Sequence, residues 1–218
     1  MRKYKVAVLG ATGAVGQQMT KVLGERKFPI DELRLLASER SAGSIMDTPF
    51  GKIKVEEACD SAFKGMDIVL GAAENDIAKK AAPAIRAAGA GFVDNSSAFR
   101  MDPDVPLVVP EINPEDALKH HGLISNPNCS TIITMVAVNA INKLSPIKCM
   151  IASTYQAVSG AGAGGPIELD AQVNALLKGE PVSNNVFRYQ IAYNLIPEIG
   201  GANEFLKELV VWLISRDR

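Results

Sequence analysis

Tyr4-Lys5-Val6-Ala7-Val8-Leu9-Gly10-Ala11-Thr12-Gly13-Ala14-Val15-Gly16 is the stretch whose reading decides the fold. Its first six residues read as a buried strand, and Gln17 to Leu23 reads as a helix. Between them the glycines fall at positions 10, 13 and 16. Each has a distinct job in a strand-turn-helix unit that binds a dinucleotide. Gly10 permits the tight turn, Gly13 lets the backbone approach a pyrophosphate, and Gly16 lets helix and strand pack closely. The helix start adds unpaired N–H groups aimed at the anion. Glycines can also end a strand for packing reasons alone. The position directly after the first strand favours the phosphate-binding reading.

Further along, the same alternation repeats. Leu33–Ala37, Ile68–Gly71 and Gly91–Asp94 read as strands, with Val105–Val109 as one more. Ile77–Ala88 reads as a helix stopped by Gly89, and Gly122-Leu123-Ile124 as a short strand before an apolar helical run, Ile132–Ile141. Apolar strands alternating with helices predict an α/β fold with a doubly wound, mostly parallel sheet. Ile147–Tyr155 reads as a strand opening a different region, followed by the loop Ser159–Gly165 and a helix from Pro166 to Leu177.

Composition narrows the function classes. The chain has 218 residues, 47% of them hydrophobic, and a formal net charge of −1, so neither a nucleic-acid-binding basic excess nor an acidic tail is present. Three cysteines, Cys59, Cys129 and Cys149, are too few and too odd in number for a disulfide framework and fit a reducing compartment. No secretory leader is read after Met1-Arg2-Lys3, and no apolar run reaches membrane-spanning length, so a cytoplasmic protein is expected. No Cys/His cluster has metal-ligand spacing. His120 and His121 end a polar segment before Gly122 and read as a surface turn.

The end of the second strand bears on cofactor choice. A site for NAD usually places an acidic residue there, to bind the ribose 2′-hydroxyl. This chain has Ser38-Glu39-Arg40-Ser41. Ser38, Arg40 and Ser41 can donate hydrogen bonds to a 2′-phosphate, Arg40 bidentately, which favours NADP; Glu39 could serve NAD.

Asn126-Pro127-Asn128-Cys129-Ser130-Thr131 lies at a strand-to-helix turn. A cysteine there sits where N–H groups and the helix dipole favour a thiolate, a nucleophile at neutral pH. The same N–H groups can stabilise an oxyanion on an attacked carbonyl. A small buried hydrophobe is the plainer reading of a lone cysteine. Arg100, in Asp94-Asn95-Ser96-Ser97-Ala98-Phe99-Arg100, can clamp a phosphate or carboxylate at a strand end, or pair in solvent with Asp102 or Asp104. Gln156 can orient a carbonyl or cap backbone, and Ser159-Gly160 can admit a nicotinamide or form a plain turn.

Taken in order, Gly10–Gly16, Ser38–Gly43, Asn95–Arg100, Asn126–Thr131, Thr154–Gly162 and Asn194-Leu195-Ile196-Pro197 resemble aspartate-β-semialdehyde dehydrogenase, collinearly over roughly residues 3–200. The resemblance implies a Rossmann-like NADP-binding domain over 1–128 and an incomplete α+β catalytic and dimerisation domain over 129–218. It implies reduction of aspartyl β-phosphate to aspartate β-semialdehyde with NADPH, on the route to lysine, threonine, methionine and isoleucine. By position, Cys129 is the nucleophile that forms a thioacyl enzyme, Gln156 orients the substrate, and Arg100 and Asn128 belong to substrate binding. Thr12, Gly13, Ala14, Val15, Arg40 and Ser41 match the cofactor contacts, beside Gly10, Gly16 and Ser38 of the turns read above, with Ser159 and Gly160 on the nicotinamide side. The family assembles as homodimers or homotetramers and works on a small molecule, with neither nucleic acid nor membrane as a partner.

After Gly200 the likeness is expected to stop. The family carries further on an acidic residue, a Lys, a carboxylate-binding Arg and a general acid/base His, none of which maps onto residues 201–218. That pattern reads as a shortened or frame-altered chain, with Phe205, Leu206, Leu209, Val210, Leu213 and Ile214 spaced for a short amphipathic helix. Two other functions fit parts of the pattern: a non-catalytic NADP-binding remnant, and an N-acetyl-glutamyl-phosphate reductase. The latter shares the cysteine and glycine turn but not the Ser-Ser-Ala-Phe-Arg and Tyr-Gln-Ala-Val-Ser-Gly pairing.

Overall fold

The computed structural model describes residues 2–196, so the helix expected over Phe205–Ile214 lies outside the described residues. Contacts group the chain into two compact units, one running to Lys148 and the other beginning at Cys149.

The first unit is built on a seven-stranded sheet of order β3-β4-β2-β1-β5-β6-β7. Its elements in chain order are β1 (Tyr4–Leu9), α1 (Ala14–Glu25), β2 (Ile30–Ala37), β3 (Ile45–Thr48) and β4 (Gly51–Glu57). They continue with β5 (Ile68–Gly71), α2 (Asn75–Ala87), β6 (Gly91–Asp94), β7 (Leu123–Ser125) and α3 (Cys129–Leu144). Every pairing is parallel except β3 with β4. The mostly parallel Rossmann-like sheet expected from the sequence is therefore present.

Strand alternation explains why both faces are covered. Ala7 and Leu9 of β1 point into one core with Phe63, Val69, Ile85 and Phe92, which α2 closes. Val8 between them points into the other, with Leu35, Val55 and, from α1, Leu23. A strand buried on both faces needs apolar residues at nearly every position, and Val6 to Leu9 are all under 2% exposed. The sheet order reverses about β1, with β2 on one side and β5 on the other. Ligands of open α/β sheets bind at the carboxyl ends of the strands flanking such a reversal.

Three local expectations are corrected. The β3–β4 hairpin was not read from the sequence; it is an antiparallel edge in which Ile53 and Val55 pack inward and their neighbours stay wet. Val105–Val109 is not a strand. Pro106 has no N–H to donate, and only an isolated bridge forms between Leu107 and Ser125. Ile147–Tyr155 is not a strand either, with Ile151 94% and Tyr155 86% exposed. A strand needs a partner, and among the described residues of the second unit there is none. That unit has instead a 3₁₀ turn at Val158–Ala161 and one long helix, α4 (Gly164–Lys178), stopped by Gly179 in the left-handed region.

Candidate active site

The glycine turn sits at the carboxyl end of β1, where the sheet order reverses. The N–H groups of Gly10 and Ala11 both donate to the Leu36 carbonyl. Gly10 has φ +81°, and a Cβ on it would lie 2.7 Å from the Ala72 carbonyl oxygen. Gly16 is the first buried residue of α1, and a Cβ there would strike the Gly10 carbonyl oxygen and lie 2.7 Å from Ala11 Cα. Gly13, the residue that caps α1, is different: its nearest neighbour to a Cβ is at 3.4 Å, an ordinary contact. Its bareness serves no packing need of the protein. With Ala14 and Val15 it is exposed, and the first turn of α1 holds no acidic residue. Those are the conditions for an anion at a helix start.

These glycines separate in an experiment. Gly16→Ala should lower stability by about 1–3 kcal/mol, because backbone must move to admit the methyl. Gly13→Ala should leave the urea midpoint nearly unchanged and weaken NADP binding. A large stability loss for Gly13→Ala, or none for Gly16→Ala, would contradict this assignment.

After β2 come Ser38 and a 3₁₀ turn, Glu39–Ser41, stabilised by Ser41 and Ala42 N–H groups donating to the Ser38 carbonyl. Ser38, Glu39 and Arg40 are exposed, and among the described residues the Arg40 guanidinium is bonded to no protein group. Beside this turn a cavity of about 220 Å³ opens between Leu9, Gly10, Ala37 and Ser38 on one side and Phe63, Ala73 and Ile77 on the other. A mostly apolar slot that also has Ser38, Asp60 and Lys80 in its lining suits an adenosine.

A polar network joins the ends of β6 and β7. Asp94, fully buried, accepts from the Ser96 hydroxyl at 2.6 Å and the Ser96 N–H at 3.2 Å. Burial pushes its carboxyl up, against the Ser96 bonds and the nearby Arg100 charge that favour ionisation. Ser97 is tied to Asn75, and Asn126 donates to the Asn95 side chain at 2.6 Å. Arg100 donates through Nε to the Asn126 carbonyl and through Nη2 to the Asn95 carbonyl, both at 3.0 Å. It is thus anchored across the two strand ends.

Three residues beyond Asn126, Cys129 is the first residue of α3. Asn128 caps the helix, its Oδ1 accepting from the Ser130 N–H at 2.9 Å. Cys129 is exposed, which removes the buried-hydrophobe reading. Its Sγ thus sits at a helix N-terminus, among backbone N–H groups without intrahelical partners. Cys59 and Cys149 are exposed as well. The Ser61 hydroxyl and the Ala62 amide hold the Cys59 thiol below its ordinary range. Iodoacetamide at pH 7 should therefore mark Cys129 and Cys59 before Cys149; mapping that found Cys149 first would count against this picture.

In the second unit, Gln156, Ser159 and Gly160 are exposed on one loop. Gly160 is bare because the Gln156 side chain lies on it, with Cδ 2.9 Å from where a Cβ would be. Beneath the loop, two residues that sequence reasoning missed lie on the buried face of α4. Glu168 is 5% exposed and Gln172 1%. Glu168 accepts from the N–H groups of Asn185, Val186 and Phe187 at 2.6, 2.5 and 3.1 Å. Gln172 accepts from Ile191 and Ala192 and donates to the Ser183 carbonyl. A Glu and a Gln one turn apart are ordinary on a helix, so nothing in the sequence of α4 marks them as buried.

A mostly parallel sheet with a glycine turn at its reversal is a dinucleotide-binding architecture. Models of two semialdehyde dehydrogenase domains match the chain: the NAD binding domain over residues 5–120 and the dimerisation domain over residues 138–209. The chain belongs to the semialdehyde dehydrogenase family, and its first unit is that family's NAD(P)-binding domain. It is 49% identical over 193 residues to aspartate-semialdehyde dehydrogenase of Synechocystis, a match covering 88% of this chain and 57% of that protein. It superposes with a TM-score of 0.92 and 41% identity on aspartate semialdehyde dehydrogenase II of Vibrio cholerae, solved in complex with ASA, over 97% of this chain and 66% of that one. The Candida albicans enzyme, solved with NADP, matches with a TM-score of 0.52 and 29% identity over 66% of this chain and 48% of that one. The chain thus spans a little over half the length of the Synechocystis protein. The dimerisation-domain match runs past Gly200, where the likeness was expected to stop. Among the described residues no helix is long and apolar enough to cross a membrane.

Proposed function

We propose that the chain supplies the cofactor-binding and nucleophile-bearing part of an aspartate-β-semialdehyde dehydrogenase, which reduces aspartyl β-phosphate to aspartate β-semialdehyde. The observation that carries this reading is Cys129, exposed at the first position of α3 and three residues from the carbonyl that anchors Arg100. In this reading the Cys129 thiolate attacks the acyl carbon. A C–S bond forms, the bond from acyl carbon to phosphate oxygen breaks, and phosphate leaves with that electron pair, producing a thioacyl enzyme. Bound NADPH supplies the hydride that reduces the thioester. The C–S electron pair then returns to sulfur and the aldehyde is released.

The other residues divide the work. Arg100 holds the phosphate, Asn128 fixes the turn that aims Cys129 at the substrate, and Gln156 orients the acyl group. First-turn N–H groups of α3 steady negative charge on the acyl oxygen, apart from that of Ser130, which Asn128 occupies. Gly10, Thr12, Gly13, Ala14, Val15 and Gly16 cradle the pyrophosphate, and Ser38, Arg40 and Ser41 take the ribose 2′-phosphate, which makes NADP the preferred cofactor. Ser159 and Gly160 serve the nicotinamide side. Residues 1–128 then form the NADP-binding domain, and residues from 129 on belong to catalysis and assembly. The dimerisation-domain match supports a homodimer or homotetramer. A cytoplasmic location accords with three free cysteines.

The reverse reaction tests the substrate. Aspartate semialdehyde, inorganic phosphate and NADP should give phosphate-dependent NADPH formation that is lost in Cys129→Ser. A faster reaction with N-acetylglutamate semialdehyde would assign the chain to the glutamate-derived pathway instead.

A further inference from the structure

Residues 180–192 carry no helix or strand, yet they run along α4 as a strap, five of whose N–H groups donate to α4 side chains. Buried amides outside secondary structure need partners from side chains. Here two residues one turn apart provide them. The Glu168 carboxylate takes three consecutive N–H groups, those of Asn185, Val186 and Phe187. Gln172 takes those of Ile191 and Ala192 through one oxygen, and its nitrogen donates to the Ser183 carbonyl and the Asn184 side chain. A carboxylate is suited to the first role because it only accepts, with two oxygens.

The strap packs in turn against the first turn of α4. Val186, whose N–H Glu168 holds, has its Cγ2 3.0 Å from where a Cβ of Gly164 would be. Next to it, Gly165 is bare because the Val158 carbonyl lies against it: the carbonyl carbon is 2.9 Å from a Cβ there. Val158 begins the 3₁₀ turn that contains Ser159 and Gly160, and Gly160 carries the Gln156 side chain on its open Cα face. The contacts therefore run from Glu168 to Val186, to the first turn of α4, to Val158, and to Gln156.

We infer that Glu168 is a positioning residue, which through the 183–192 strap and the first turn of α4 fixes the loop bearing Gln156, Ser159 and Gly160. The inference deepens the proposed function, since it rests on that loop's role at the substrate and nicotinamide side. Gln172 secures the far end of the same strap. Glu168 touches no reacting atom in this scheme; it sets the conformation of residues that do.

The test is amide hydrogen exchange of the full chain, read by mass spectrometry with and without NADP, for the parent, Glu168→Gln and Glu168→Asp. Glu168→Gln keeps the volume but turns an acceptor pair into one acceptor and one donor, which faces N–H groups that cannot accept. Exchange over 183–192 should rise about tenfold or more, the scale of a lost charge-assisted hydrogen bond. Exchange over 156–163 should rise with it, while β1 and β5 stay as in the parent. Protection of 156–163 by NADP should be lost in Glu168→Gln and partly restored in Glu168→Asp, with protection of 10–17 retained in both. A released strap with an unaltered 156–163 loop would overturn the inference, as would a strap that stays protected. If Glu168→Gln unfolds the chain, seen as a rise in β1 as well, Gln172→Ala decides. It should loosen the strap around 191–192 and raise exchange over 156–163 by a smaller factor, and no change there would overturn the inference. Absence of NADP protection over 156–163 in the parent would count against the proposed role of Ser159 and Gly160, whereas the strap result is read without NADP.

Discussion

A polypeptide of these 218 residues should bind NADP yet turn over aspartate semialdehyde about 10²–10⁴-fold more slowly than a relative of full family length. Binding and chemistry come apart because they rest on different stretches of sequence. The glycine turn, the Ser38–Ser41 turn and the slot beside them all lie in the first unit, built by β1, β2, β5 and α2. Proton transfer and the grip on the substrate carboxylate belong, by family resemblance, to a His and an Arg without counterparts in residues 201–218, which contain no histidine. A positioned acid/base and a carboxylate clamp each contribute to rate rather than to cofactor affinity. The check is calorimetric NADP binding alongside steady-state NADPH formation, on the same monodisperse sample. Family-like turnover would mean that residues 201–218, or a neighbouring copy, supply the missing groups.

Arg40→Ala should weaken NADP binding about ten- to hundred-fold, the range for loss of a charge-assisted hydrogen bond, and change NAD binding by no more than about twofold. Arg40 is exposed on a 3₁₀ turn whose backbone is closed by its own hydrogen bonds, so removing the side chain leaves the turn intact. Its charge matters only to a ligand bearing a 2′-phosphate. Paired titrations of parent and variant with both cofactors test this, and equal losses for NADP and NAD would contradict it.

Much of the first unit was legible because its physical signals are local. A strand buried on both faces must be apolar throughout, and Val6–Leu9 is. A turn without room for Cβ atoms must be glycine, and Gly10 and Gly16 meet backbone where a Cβ would be. Cys129 was placed at a helix start from the apolar run that follows, and α3 begins there. What escaped depends on partners distant in sequence. Ile147–Tyr155 has strand-forming residues but no strand to pair with among the described residues of its unit. The Arg100 anchor needs the Asn126 carbonyl, 26 positions away, which no sequence neighbour of Arg100 reveals. Glu168 and Gln172 sit on an ordinary-looking helix, and only the fold of residues 183–192 reveals what they hold.

The most direct measurement is calorimetric titration of the 218-residue polypeptide with NADP and, separately, with NAD. The expected result is saturable binding of NADP at one site per chain, tighter than NAD, and abolished or strongly weakened by Gly13→Ala. Tighter binding of NAD, or no binding of either cofactor by folded chain, would contradict the assignment of residues 10–41 as an NADP site.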